Sequence, residues 1–292
     1  MTSSISGSSP SAALGAELPT VLVLGCGWLG MALGRSLAAA GHRVLGTTTS
    51  AENLPAMAAA GIEPHVLRLG IDFNPPADAL LHRLLGAADV LVLNIPPRAA
   101  AAGTYPTLLR PVHRAVATAG TKHVLFVSST GVYPDEPRVM HEADAASTRD
   151  AASDVLRAEG HFVPRYGQWK STVVRLGGLI GPDRAPGRFL AGRRDLAQGN
   201  APVNLVHLTD VVGVLSAIIQ HGTWGHTFNV CAAQHPARRD FYPAAAHHLH
   251  LEAPTFKDET GMSGKTIDSS LVRSLVPYAF RHDDVLAALA HC

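Results

Sequence analysis

Four groups of residues in this sequence have types and spacing suited to chemistry. Gly25, Gly27 and Gly30 form G-x-G-x-x-G inside Val21-Leu22-Val23-Leu24-Gly25-Cys26-Gly27-Trp28-Leu29-Gly30. Apolar β-formers before the first glycine and an alanine-rich run after the last describe a strand, a tight turn and a helix start. In that setting Gly25 allows the turn and Gly27 lets backbone approach a pyrophosphate. Gly30 lets helix and strand pack closely, and Trp28 and Leu29 lie in the same binding segment. Unpaired N–H groups at the helix start favour an anion there. The alternative is a glycine-rich turn that holds no nucleotide.

The second group, Thr47-Thr48-Thr49-Ser50, falls about 20 residues past the glycines, where an acidic residue would bind an adenosine ribose 2′-hydroxyl. With no carboxylate to repel a 2′-phosphate and hydroxyls to donate to it, Thr47, Thr48 and Thr49 favour NADP over NAD. Arg43 and Arg68 could assist only if the fold brings them round, and a Ser/Thr cap before Ala51 suits either cofactor. Third, Asn94, Ile95 and Pro96 end the strand-like run that begins at Asp89 and is apolar over 90–93. They are expected either to line the nicotinamide side of a cleft or simply to turn the chain. Fourth, Ser128-Ser129-Thr130-Gly131-Val132-Tyr133 follows the strand-like run 123–127, apolar after His123. Hydroxyls placed there either position a substrate oxygen or cap the strand.

These groups share one edge only if parallel strands alternate with helices. Leu33, Leu37 and Ala40 recur at helical spacing before Gly41, and the pattern then predicts a helix over 54–60, a strand near 65–69, and helices over 77–85 and 108–119. Such lengths suit βαβ units. With 292 residues, 47% of them hydrophobic, the chain has ample material for a large core. A net charge of +1 without a long basic run argues against nucleic acid and anionic membranes as partners and leaves small molecules. Cys26, Cys231 and Cys292 have neither a disulfide-framework pattern nor a zinc spacing, which fits a reducing cytoplasm. Residues 1–18 read as a disordered tail and not a signal peptide, and no later run reaches the ~18 apolar residues of a membrane span.

Further blocks complete a pattern: Val174-Arg175-Leu176 through Gly181-Pro182, and Asn204-Leu205-Val206-His207-Leu208-Thr209-Asp210-Val211. With the glycine motif and the serine block, these resemble, in order, the extended short-chain dehydrogenase/reductases of the NAD(P)-dependent epimerase/dehydratase superfamily. G-C-G-W-L-G, G-P-x-R-x-P-G-R-F and V-N-L-V-H-L are similar more narrowly to its atypical members, the group around the bacterial protein YeeZ. The resemblance runs from about residue 18 to the C-terminus. It implies Ser128 beside the cofactor, Ser129 as the serine that holds the reacting oxygen, Tyr133 near the cleft as a proton donor, and Thr130, Arg184, Arg188 and Phe189 on the substrate side. Arginines there suit phosphate or carboxylate, although exposed arginines on a polar lobe are the alternative.

The departures matter. The family's Tyr-x-x-x-Lys acid/base pair aligns with Ala152 and Leu156, and Thr130-Gly131 replaces the Asp-Glu of the sugar dehydratases. His141 and Glu142 are candidate substitute acids by position, the alternative being a solvated loop pair, whereas Tyr166 and Lys170 read as a loop entering a strand. His247, His248 and His250 lack a zinc-ligand pattern, and Gly264-Lys265-Thr266 fails as a phosphate loop because Glu259 stands where its first glycine belongs. No metal site is expected. Thr209-Asp210 is expected to cap a helix over 211–219, and 283–290 to form a closing helix.

The resulting expectation is an α/β, doubly wound Rossmann fold with a mostly parallel sheet and a small C-terminal substrate lobe. Residues 19–180 form the dinucleotide-binding part. The remainder, 181–292, returns to that core over 203–231 and builds the lobe from 181–198 and 232–292. The implied function is NAD(P)-dependent oxidoreductase or epimerase-like chemistry on a small polar or anionic metabolite. A silent dinucleotide-binding sensor or scaffold is the alternative.

Overall fold

The computed structural model describes residues 17–70, 74–163, 169–258, 260–261 and 263–292. Most of the N-terminal tail, Tyr166 and Glu259 lie outside the described residues. Strands β1 (Val21–Leu24), β2 (Val44–Thr48), β3 (Glu63–Val66) and β4 (Val90–Leu93) alternate with helices α1 (Trp28–Ala39), α2 (Leu54–Ala59) and α3 (Pro75–Gly86). Helix α4 (Tyr105–Ala119) leads to β5 (His123–Ser129), and the short β6 (Val139–Met140) precedes α5 (Asp154–Phe162). Then come β7 (Lys170–Leu176), β8 (Gly178–Ile180), α6 (Gly187–Leu190), β9 (Leu205–His207), α7 (Leu208–His221) and β10 (Thr227–Val230). Helix α8 (Arg238–His248), β11 (Thr266–Ile267) and α9 (Ser270–Leu275) complete these elements.

The main sheet has seven strands in the order β10-β7-β5-β4-β1-β2-β3, and its pairings are parallel. Helices cover both faces, so β1 and β4 are continuous apolar runs buried at every position. Leu33 and Leu37 of α1 pack on one face with Val214 and Ile218 of α7. Leu85 of α3, Leu109 of α4 and Phe162 of α5 pack on the other, around Phe126. A smaller apolar cluster joins Ile180, Leu205, Phe241, Ala245 and Leu289. Strand order runs outward in both directions from β1 and β4, and at such a reversal the carboxyl ends of the strands open a crevice.

Two local expectations are corrected. Helix α7 starts at Leu208 because the His207 ring caps it, its Nδ1 accepting the Thr209 N–H at 3.2 Å. Asp210 instead turns inward, accepting from the Tyr278 hydroxyl at 2.9 Å and from the backbone N–H groups of Arg281 and His282 at 2.7 and 3.0 Å. The closing segment forms a tight 3₁₀ turn, Ala287–His291, in place of a helix over 283–290. Among the described residues, no helix is long and apolar enough to cross a membrane.

Candidate functional site

The glycine turn is built from steric necessity. Gly25 has φ +106°, and a Cβ there would lie 2.6 Å from the Asn94 carbonyl oxygen. A Cβ on Gly30 would lie 2.3 Å from the Gly25 carbonyl oxygen, so α1 packs against the turn only with glycine at that position. Gly27, at the start of α1, has nothing within 4 Å of such a Cβ, leaving its backbone open to a ligand. Two side chains hold the turn: Thr47 Oγ1 accepts the Gly25 N–H at 3.0 Å, and Asn94 Nδ2 donates to the Gly25 carbonyl at 2.9 Å. Thr47 and Asn94 thus act on the turn itself.

Two cavities meet at this turn, sharing Gly27, Asn94, Ile95 and Pro96. One, of about 360 Å³, is lined by Gly25, Cys26, Thr47, Thr48, Thr49, Asn53 and Leu67. Thr48 Oγ1 accepts from Asn53 Nδ2 at 3.1 Å, while Thr49 is exposed and its carbonyl accepts from Arg68 Nε at 2.8 Å. The fold therefore does bring Arg68 to the threonine tip. Arg43 is engaged elsewhere, paired with Glu63 at 2.9 Å.

The second cavity, of about 320 Å³, is lined by Trp28, Leu29, Pro97, Arg98, Tyr105, Ser128, Ser129, Val155, Leu179 and Arg184 among others. Ser129 is exposed to it; its Oγ accepts the Gly131 N–H at 3.1 Å, and no acceptor among the described residues takes its proton. Ser128 Oγ points away, donating to Glu159 Oε1 at 2.5 Å. The Arg184 guanidinium lies 5.5 Å over the Trp28 ring, which is itself held by Trp28 Nε1 donating to the Pro182 carbonyl at 2.9 Å. Arg184 Nε is buried without a partner. Burial, then repulsion from Arg98, lowers the Arg184 pKa. Among the described residues no Asp or Glu lines this cavity, and its charged lining is the pair Arg98 and Arg184.

Several expected site residues lie elsewhere. Tyr133 is buried with Met140, Cys231 and Ile267; its hydroxyl donates to Asn229 Oδ1 at 2.6 Å and accepts from Arg175 Nη1 at 2.8 Å. Burial pushes that phenol above its ordinary value, the arginine opposing. Tyr133 is therefore corrected from a cleft proton donor to a member of a buried network. Thr130 is buried, donating to the Leu176 carbonyl at 3.3 Å, and not at the substrate side. Arg188 and Phe189 are exposed on α6, which lies against α8 at Gly187 and does not line the cleft. His141 is exposed near Asp268, and Glu142 Oε1 accepts the Asn229 N–H at 2.8 Å.

Helix α5 begins at Asp154, capped by Ser153, so Ala152 precedes it and Val155 is its residue on the cavity. One turn later Glu159 turns inward to Ser128 and Arg175. Tyr105 also lines the cavity, its hydroxyl donating to the Ile95 carbonyl at 2.6 Å and so fixing the Ile95–Pro97 wall. Sequence reasoning missed Tyr105, Val155 and Glu159. Arg175 inside an apolar strand was the available signal, since a buried guanidinium requires a partner. Among the described residues no group of three or more His, Cys, Asp or Glu side chains is placed to hold a metal.

No protein-family model matches the chain. Over 269 residues it is 34% identical to protein YeeZ of Escherichia coli K12, covering 91% of this chain and 97% of that protein. A proposed NAD-dependent epimerase/dehydratase from Methylobacillus flagellatus superposes with a TM-score of 0.73 at 25% identity, covering 94% of this chain and 97% of the other. The human epimerase family protein SDR39U1, solved with NADPH, superposes with a TM-score of 0.66 at 17% identity, covering 92% and 97%, a likeness of fold.

Proposed function

The chain belongs to the family of the bacterial protein YeeZ and has the NAD-dependent epimerase/dehydratase type of Rossmann fold; from that premise we propose a dinucleotide-dependent oxidoreductase or epimerase-like enzyme acting on a small anionic metabolite. The carrying observation is one cleft with an open glycine turn at its centre and Ser129 on the same wall system as Arg98 and Arg184. The residues present fit a dinucleotide, because backbone at Gly27 is unobstructed where a pyrophosphate approaches a helix start. Gly25, Gly27, Trp28, Leu29 and Gly30 would hold it, with Thr47, Thr48 and Thr49 at the adenosine end and Asn94, Ile95, Pro96 and Ser128 along the nicotinamide end. Arg68 beside Thr49 supports NADP over NAD, since a guanidinium recognises a 2′-phosphate.

When bound, the nicotinamide supplies or accepts a hydride. Ser129 donates its free hydroxyl hydrogen to the reacting oxygen, and Arg98 with Arg184 orients a carboxylate or phosphate of the substrate. Among the described residues, α5 carries neither a tyrosine nor a lysine, and the Tyr105 and Tyr133 hydroxyls are already engaged. That observation favours the second reading, a dinucleotide-binding sensor without turnover. The free thiols Cys26, Cys231 and Cys292 suit a reducing cytoplasm.

Fluorescence titration with NADPH and NADH, followed by a screen of carbonyl acids, separates the readings. The enzyme reading expects NADPH to bind at least tenfold tighter, ~1.4 kcal/mol. It also expects turnover that Ser129→Ala lowers and whose KM rises in Arg98→Gln/Arg184→Gln. Binding without turnover on any substrate leaves the sensor; failure to bind either dinucleotide overturns both.

A further inference from the structure

Away from the cleft, α4 and α5 lie side by side on the sheet, and the loop before α5 crosses back over it. The crossing point is Gly160, where a Cβ would lie 2.5 Å from the Thr148 carbonyl carbon and 2.9 Å from the Arg149 nitrogen. So close a crossing fixes Arg149 beside His161 of α5. From α4, Arg110 and His113 project from one face, three residues apart. A cavity of about 150 Å³ lies between these four side chains, its remaining lining Pro106, Leu109 and Ala158. The two imidazole centroids are 5.6 Å apart, and the edge contacts of His113 with Phe162 and Trp169 hold its ring in place.

Every polar side chain on this cavity is a cation or becomes one on protonation. Burial first, and then the neighbouring positive groups, keep both imidazoles below their ordinary pKa; Arg149 acts on both and Arg110 on His161. Among the described residues no carboxylate lines the cavity. The inward carboxylates of α5 are spent elsewhere, Asp154 on Arg157 and Glu159 on Arg175. Among the described residues neither Arg110 nor Arg149 has an ion-pair partner. Three chain segments thus converge two guanidinium cations and two imidazoles held toward the neutral form, with no counter-charge among the described residues. An anion would pair with the arginines and favour protonation of the imidazoles.

We propose that this cavity between α4 and α5 is a second ligand site, separate from the dinucleotide cleft, that takes one phosphate-sized oxyanion. Arg110 and Arg149 supply guanidinium N–H donors, and His113 and His161 take up protons and donate as the anion enters. The volume of about 150 Å³ suits a single tetrahedral oxyanion. Free phosphate and the end group of a phosphomonoester share this chemistry.

The test is a titration of the full chain with inorganic phosphate at constant ionic strength, read by the imidazole ¹⁵N resonances of His113 and His161. Saturable shifts of these rings are expected, with at least a tenfold weaker response in Arg110→Gln/Arg149→Gln. An unchanged response in Arg98→Gln/Arg184→Gln is also expected and keeps this site distinct from the proposed substrate cleft. Both arginines are exposed, and Arg149→Gln alone serves if the double variant is unstable. A parallel titration with methyl phosphate separates the two sources: shifts of the same rings by methyl phosphate admit a phosphomonoester end group, and shifts by inorganic phosphate alone restrict the site to the free anion. Absence of saturation, an equal effect of chloride, or an undiminished response in the arginine variants overturns the proposal.

Discussion

Arg175 Nη2 lies 2.8 Å from Glu159 Oε2 with the two side chains 1% and 0% exposed. So deep a charge pair persists because its remaining groups are satisfied. Arg175 also donates to Tyr133, to the Glu142 and Ala145 carbonyls and to Ser147, while Glu159 accepts from Ser128 and Ser147. The network joins β7, α5 and the end of β5 directly beneath the cleft. Removing one partner strands the other charge, so Arg175→Met should destabilise the fold by about 3–5 kcal/mol. Urea unfolding measures it as a fall in midpoint at constant slope; a loss below ~1 kcal/mol, the range of exposed pairs, would contradict the deep-pair reading.

Gly27 and Gly30 separate binding from folding. Gly30→Ala puts a methyl 2.3 Å from a backbone oxygen and should lower stability and dinucleotide binding together. Gly27 has φ −81°, which alanine adopts freely, and no neighbour for the added methyl. Gly27→Ala should therefore keep its Tm yet bind dinucleotide at least tenfold more weakly, ~1.4 kcal/mol. Thermal unfolding and fluorescence titration of the two variants check the contrast, and undiminished binding by Gly27→Ala would contradict the pyrophosphate assignment.

How much of this was legible in the sequence follows the range of the interactions. The glycine turn and the strand ends at Asn94 and Ser129 were readable because alternating elements place them at one edge whatever the details of packing. Tyr133 was misread because its position after a serine strand does not reveal which way its ring turns; that is decided by Asn229 and Arg175, from β10 and β7. Arg184 and Arg188 are equivalent in composition, but only Arg184 precedes α6 on the side of Trp28. The His207 cap was hidden because Ser, Thr and Asp are the usual caps and the ring lies two residues before Thr209.

Stability should fall as pH drops below neutrality. His113, His123, His161, His207 and His235 all have pKa values below the ordinary ~6.5, with burial the largest cause. A group depressed in the folded state contributes stability that is fully present above its unfolded pKa and lost as pH falls toward the folded value. His207 shows the mechanism: Nδ1 accepts the Thr209 N–H and Nε2 faces the His291 carbonyl at 3.1 Å, so protonation of Nδ1 removes the α7 cap. The depressed carboxylates Asp89, Asp144 and Asp268 act in the same direction, but only below ~3.9. Calorimetry should give a level Tm from about pH 8 to 7 and a decline from about 6.5 to 5, shallower in His207→Asn. A Tm that rises on acidification would contradict this assignment.

Arg68 and Arg43 give cofactor preference a paired test. Arg68 is anchored through Nε to the Thr49 carbonyl, and its Nη groups have no partner among the described residues; on the proposed NADP preference Arg68 is the partner of the 2′-phosphate. Arg43, held by Glu63, provides an equally cationic control that does not reach the threonine tip. Arg68→Ala should weaken NADPH binding about tenfold, ~1.4 kcal/mol, while NADH affinity stays constant. The salt dependence of NADPH binding should also flatten, because an exposed charge pair is lost. Arg43→Ala should change neither dinucleotide. Equal losses for NADPH and NADH in Arg68→Ala would reduce Arg68 to a support for the tip, and the threonine hydroxyls alone would then have to account for any preference.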